Sequence, residues 1–173
     1  NGGIILYPTD TIWGIGCDAN NEEAVQKIYH LKNRQESKAL ITLVGSETML
    51  ERAVKDMPEI AWDLIEASDN PLTIIYESVK GIAQNALAED GSCGIRLVKD
   101  KFCQELIKQF KKPIISTSAN ISNQASPAIF KEIDTAILNK VDYVVNFNQN
   151  SATKSSPSSI IALKNDGTIK IIR

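Results

Sequence analysis

Four short polar stretches interrupt an otherwise apolar-rich chain, and each carries groups able to hold an anion. The first is Tyr7-Pro8-Thr9-Asp10-Thr11-Ile12-Trp13-Gly14-Ile15-Gly16, where an apolar run stops at proline and hydroxyls, a carboxylate and glycines follow. Such a loop at a strand end offers hydroxyls and free backbone N–H groups, and strand ends are where α/β folds bind ligands. A plain turn capped by Asp10 is the competing reading. The P-loop pattern GxxxxGK[ST] is absent, so the stretch is not a Walker-type phosphate loop. The second stretch, Leu31-Lys32-Asn33-Arg34, puts two cations just past an amphipathic segment. They either complement the helix dipole or reach an anion together, arginine as a two-donor fork and lysine as a point charge.

The third stretch, Ser116-Thr117-Ser118-Ala119-Asn120, turns an isoleucine-rich run abruptly into small polar groups. It reads as an N-cap and turn cluster, or as a place where a phosphate can approach the backbone. The fourth, Ser155-Ser156-Pro157-Ser158-Ser159, again leads hydroxyls into an apolar run, and a linker is the alternative. Arg96, in Gly94-Ile95-Arg96, sits among apolar neighbours, a rare place for a charge unless it faces solvent.

Several chemistries are disfavoured. His30 is the only histidine and reads as a surface or half-buried helical residue, so triad hydrolysis has no support. Cys17, Cys93 and Cys103 have no CxxC spacing and read as buried structural thiols in a reducing compartment. No carboxylate pair or His/Cys cluster has metal-ligand spacing. Lys108, Lys111 and Lys112 form a small basic cluster that reads as a solvated face.

The elements that must position these groups follow from periodicity. Strands are expected at 3–7, 40–44, 72–76, 94–98, 113–117, 143–146, 159–162 and 168–171. Helices are expected at 22–31, 47–54, 59–67 and 101–110, with another from Pro127 to about Leu138. Residues 77–92 read as loop with a short helix at 82–88, and 148–156 as a polar loop. Interleaved strands and helices indicate an α/β layer fold, and the short terminal segments indicate a mixed sheet. With 173 residues, 43% hydrophobic and 23% charged, one domain over 1–173 is expected. An upstream segment is expected to be missing, because Asn1 falls within an apparent element. No apolar run approaches the roughly 20 residues of a membrane span. The net charge of −2 argues against a dedicated nucleic-acid binder.

Taken in order, the pattern PTDT-x-x-G-x-G-x-D-A, K-x-R after a helix, G-x-R on a strand, TSAN-x-S and P-S-[ST]-I-[IV] resembles the YrdC-like family of threonylcarbamoyl-adenylate synthases over nearly the whole chain. The resemblance implies an α/β twisted mixed sheet, flanked by helices, around a large concave cavity with a positive interior. It implies Lys32, Arg34, Ser118 and Asn120 as signature residues, with Lys32 and Arg34 catalytic. Thr9, Thr11, Lys32, Arg34 and Ser158 are expected at the threonine and bicarbonate site, and Arg34, Arg96, Thr117, Ser118, Asn120, Ser158 and Arg173 at the nucleotide. The chain resembles the short form, without a C-terminal domain. It departs from the family pattern at Gln35, where proline is usual, at Ala39-Leu40 for Pro-Leu, at Trp13 for tyrosine and at Asn123 for glycine.

The implied reaction joins L-threonine, bicarbonate and ATP into threonylcarbamoyl-adenylate, releasing pyrophosphate, for tRNA modification. The nucleophile, a threonine carbamate, is already an anion, so no histidine base is needed. Mg²⁺ is expected, held mainly by ATP phosphates and water. Downstream tRNA-modifying proteins are the expected recipients, the cytoplasm the expected compartment, and an RNA contact is an open expectation. The other readings are a double-stranded-RNA-binding module and a carbamoyl-transfer protein of the same fold.

Overall fold

The computed structural model describes residues 2–33, 40–151 and 156–173. Nine strands form one mixed sheet in the order β7-β1-β2-β6-β3-β5-β4-β8-β9. They are β1 (Ile5–Tyr7), β2 (Gly14–Asp18), β3 (Ile41–Val44), β4 (Leu72–Tyr76), β5 (Cys93–Leu97), β6 (Ile114–Ser118), β7 (Tyr143–Val144), β8 (Ser159–Leu163) and β9 (Ile169–Ile171). The β1/β7, β3/β5 and β4/β8 pairs are parallel and the others antiparallel. The helices are α1 (Glu22–Lys32), α2 (Glu47–Ala53), α3 (Ile60–Ala67), α4 (Lys101–Phe110) and α5 (Thr135–Leu138).

Side chains alternate across a strand, which sorts the sheet into two faces. On one face Leu6, Ile15, Cys17 and Ile115 pack against Ala24, Val25, Ile28 and Tyr29 of α1. Farther along it, Val44, Ile74, Ile95 and Ile161 join Leu50 and Ala53 of α2 and Ala61 of α3. A fully buried side chain such as Ile28, at 0% exposure, contributes about 2 kcal/mol relative to leaving it in water. On the other face α4 docks, with Cys103 and Ile107 against Tyr7, Leu43 and Ile114. The rest of that face carries Gly14, Gly16, Gly94, Ser116, Ser118 and Arg96. Of these, Gly14, Ser116, Ser118 and Arg96 border a hollow.

Capping chemistry sets the helix ends. Asn21 Oδ1 accepts from Ala24 N at 2.9 Å, and Asn33, at φ 51, ends α1 in the left-handed region that asparagine tolerates. Asp100 Oδ1 accepts from Cys103 N at 2.9 Å and starts α4.

Two sequence expectations are corrected. Gly14–Asp18, read as loop, is a strand bonded on both sides, to β1 and β6. Glycine is a poor strand former in isolation, but here it is required. A Cβ on Gly16 would lie 2.7 Å from Ile115 O and 2.8 Å from Tyr7 Cε1. The helix expected from Pro127 to Leu138 is instead a 3₁₀ turn at Phe130–Glu132 and the short α5. Ile133, at ψ 127, breaks the run, and Asp134 restarts it by accepting from Ala136 N at 2.8 Å.

Candidate functional site

The hollow face encloses a cavity of about 260 Å³, bordered by the Thr9–Gly14 loop, the start of β3, the end of β6 and the Pro157–Ser158 approach to β8. Seven of the expected site residues line it: Thr9, Thr11, Arg96, Thr117, Ser118, Ser158 and Arg173. They come from five separate stretches that the sheet order brings together. An adjoining hollow of about 260 Å³ shares Thr9, Thr11 and Ile12 with the first and adds Trp13, Ile129 and Asn148. Among the described residues, the charged side chains lining the first cavity are Arg96 and Arg173.

Lys32 and Asn120 stand one layer behind the wall. Lys32 is buried at 1% exposure, and its ammonium donates to the carbonyls of Ser118 and Asn120 and to Asn120 Oδ1 at 3.4 Å. The Asn120 amide donates to Ile121 O at 2.9 Å and Gln124 O at 2.7 Å. The cation from the end of α1 therefore meets the SAN stretch through backbone carbonyls and fixes the loop that carries Ser118 into the cavity. Arg34, the other expected catalytic cation, lies outside the described residues, as does Ser155.

Opposite them, Arg173 donates from Nε and Nη2 to Ser158 O at 3.2 and 3.0 Å. The Ser158 hydroxyl shares a 2.9 Å hydrogen bond with Thr73 Oγ1. Tyr7, fully buried, donates its phenol proton to Ser116 Oγ at 2.8 Å, which leaves the Ser116 hydroxyl hydrogen for the cavity. Burial pushes the Tyr7 phenol well above its ordinary range, so it stays a donor.

The Thr9–Asp10–Thr11 loop is tied together by its own hydrogen bonds. Thr9 Oγ1 donates to Ile12 O at 2.8 Å and accepts from Thr11 N at 3.1 Å. Arg96, 4% exposed, donates from Nη1 to Thr11 Oγ1 at 3.3 Å. Its Nη2 stands 3.0 Å from Asp10 Oδ1. That oxygen has no aligned hydrogen bond, so the contact is an ion pair. Burial pushes the Asp10 carboxyl above its ordinary value, Arg96 opposes that shift, and Asp100 adds to it. Arg96 is thus a buried, paired cation, and Asp10 is its counter-ion, a role beyond the capping reading.

Ser116, Tyr7 and Asp10 were missed as site residues. Asp10 carried a signal, a carboxylate between two threonines; Tyr7 carried none, because a tyrosine closing an apolar strand reads as core. His30 is exposed on α1 with its Nε2 3.2 Å from Gln26 Nε2, and all three cysteines are buried free thiols. Among the described residues no three His, Cys, Asp or Glu side chains gather as a metal site, and no helix is long and apolar enough to cross a membrane. Lys112 of the basic cluster bridges to Asp18 at 2.6 Å.

Fold and site together define an α/β protein with a hydroxyl- and guanidinium-lined cavity on the open face of a mixed sheet. The model of the Sua5_yciO_yrdC family, described as "Telomere recombination", matches residues 1–173, and the chain belongs to this family. A relative from Methanocaldococcus jannaschii, provisionally named a threonylcarbamoyl-AMP synthase, is 37% identical over 172 residues, 99% of this chain and 79% of the relative. The threonylcarbamoyl-AMP synthase of Pseudoalteromonas translucida is 28% identical over 84% of this chain and 79% of its own. The crystal structure of P. abyssi Sua5 complexed with L-threonine superposes with a TM-score of 0.80 at 25% identity, over 94% of this chain and 47% of that one. The chain thus spans about half the length of that Sua5 structure.

Proposed function

We propose that the chain is a nucleotidyltransferase, an L-threonylcarbamoyladenylate synthase. It would convert L-threonine, bicarbonate and ATP into threonylcarbamoyl-adenylate and pyrophosphate, for threonylcarbamoyladenosine modification of tRNA. The observation that carries this reading is the single cavity joining the Thr9–Thr11 loop to Ser118, Ser158 and Arg173. Its family membership and the names of its relatives support it.

In the reaction, the L-threonine amine would first bond to the bicarbonate carbon, and water would leave to give the carbamate. A carbamate oxygen then attacks the α-phosphorus, and pyrophosphate leaves with the electrons of the broken P–O bond. The difficulty is electrostatic, since two like charges 4 Å apart repel by about 1 kcal/mol in water and several-fold more at lower dielectric. Ser118, Thr117 and the Ser158 hydroxyl would position the nucleotide. Arg173 and Arg34 would stabilise the charge on the transferring phosphoryl group. Lys32 is assigned an indirect part in this scheme, holding the Ser118–Asn120 backbone in place.

Among the described residues, the donor set of hydroxyls, carbonyls and guanidiniums contains no carboxylate side chain facing the cavity. Mg²⁺, a hard cation that retains its waters, fits such a site only when carried by the ATP phosphates. Its contribution there is to neutralise phosphate charge. Residues 1–173 would act as one unit in the cytoplasm and pass the adenylate to tRNA-modifying proteins, with or without an RNA contact of their own.

The test is pyrophosphate release from ATP with L-threonine and bicarbonate each omitted in turn. Release that needs both supports the synthase. Release needing neither, or none at all, overturns it.

A further inference from the structure

We propose that Asp10, which does not line the cavity, is the positioning residue that makes Thr11 Oγ1, in the cavity wall, accept a hydrogen bond from the amino acid rather than donate one. The inference rests on the synthase reading and assigns a determinant of amino-acid recognition within it.

The hydroxyl hydrogens of the loop are all committed. Thr9 has one hydroxyl hydrogen and gives it to Ile12 O at 2.8 Å. The 2.9 Å contact between the Thr9 and Thr11 oxygens must then use the hydrogen of Thr11. Thr9 Oγ1 accepts that hydrogen and the Thr11 backbone N–H, so both its lone pairs are filled. Thr11 Oγ1 has given its hydrogen away and accepts one from Arg96. It retains one lone pair and no donor. A ligand group docking here must therefore bring an N–H or O–H. An ammonium qualifies, and so does a carbamate N–H, so the same tether holds the amino acid before and after it takes up bicarbonate. At Thr11 Oγ1 itself, a carboxylate or phosphate oxygen would meet only a lone pair.

That outcome depends on Arg96 keeping its fork turned along the loop. A buried arginine facing an anion site would otherwise offer its charge to the ligand. Asp10 prevents this. Its carboxylate meets Nη2 at 3.0 Å with both side chains largely buried, at 5% exposure for Arg96 and 13% for Asp10. It approaches from behind, where it borders a separate hollow with Leu72, Leu97 and Lys99. Asp10 thereby cancels the charge of Arg96 and fixes which hydrogen Arg96 gives to Thr11.

The experiment uses Asp10→Asn, which keeps the shape and removes the charge, alongside Thr11→Val and Thr11→Ser in the same chain. Steady-state pyrophosphate release is measured with L-threonine and ATP varied separately and inorganic phosphate as an added probe. Asp10→Asn is expected to raise KM for L-threonine by about ten-fold, the worth of one well-placed hydrogen bond. KM for ATP should stay within about two-fold, and phosphate should become competitive against L-threonine. Thr11→Val should show the same KM rise and Thr11→Ser should not, which keeps the test alive if Asp10→Asn fails to fold. Unchanged KM for L-threonine in Asp10→Asn and Thr11→Val, or an equal rise for both substrates, overturns the inference. If the wild type releases no threonine-dependent pyrophosphate, the synthase reading has failed separately. Calorimetric titration of L-threonine onto wild type and variants then decides the inference, and equal or absent binding throughout counts against it.

Discussion

In the proposed scheme Lys32 serves the site through the loop it holds. Its ammonium is caged by carbonyls of the Ser118–Asn120 loop, so Lys32→Met would leave buried acceptors unpaired at a cost of roughly 2–4 kcal/mol. Thermal melts should show a drop of several degrees together with loss of activity; an unchanged Tm with lost activity would place the ammonium at the substrate instead. Arg34 is assigned the opposite profile. Arg34→Ala should abolish adenylate formation with the fold intact, and Arg34→Lys should restore little, because the two-donor geometry is lost. Near-normal turnover in Arg34→Ala would remove it from the mechanism. Most cavity-lining residues were legible from their motifs, since clustered small hydroxyls are conspicuous among isoleucines. The pairing of Asp10 with Arg96 was not, because 86 residues separate them and only the fold sets the distance.

At the scale of elements, the glycines of β2 do two jobs: Gly14 lines the cavity, and Gly16 lets Tyr7 and β6 close in on the strand. Gly16 is the strictest, with the missing Cβ 2.7 Å from Ile115 O, 2.8 Å from Tyr7 Cε1 and 2.9 Å from Ile114 Cγ2. Backbone cannot give way as a flexible side chain can, so Gly16→Ala should destabilise by about 2–3 kcal/mol, read as a lower urea midpoint. Equal stability would mean that β2 can shift against β6. This strand was illegible in the sequence for the same reason that it matters, since GIG has low strand propensity and is held by partners on both sides. Strands of branched residues, such as Leu72–Tyr76, and the helix Lys101–Phe110 matched expectation. Asn123 occupies the position where the resemblance expects glycine. Its φ of 68 explains the substitution, because asparagine is among the few residues that take left-handed backbone.

For the molecule as a whole, the α/β class and mixed sheet were readable from alternating apolar runs, but the strand order was not. Neighbours such as β2 and β6 are joined through long-range pairing that no local pattern encodes. The fold also fixes an alkaline limit. Burial pushes the Cys93 thiol up to about 11 and Cys17 up to about 12, from an ordinary 9.0. Between those values the native state holds more protons than the unfolded chain, so stability falls as pH rises. The slope approaches about 1.4 kcal/mol per pH unit for each such group. Urea midpoints should therefore decline steadily from pH 9 to 10.5, less steeply in Cys93→Ala, and a flat profile would contradict the burial of these thiols.

The central claim is that one cavity brings a threonine carbamate to the α-phosphorus of ATP. Incubation with ATP, L-threonine and ¹³C-bicarbonate, followed by mass spectrometry of the nucleotide products, tests it most directly. The account predicts a threonylcarbamoyl-adenylate one mass unit heavier than its unlabelled form. Unlabelled AMP or ADP as the only products would contradict it.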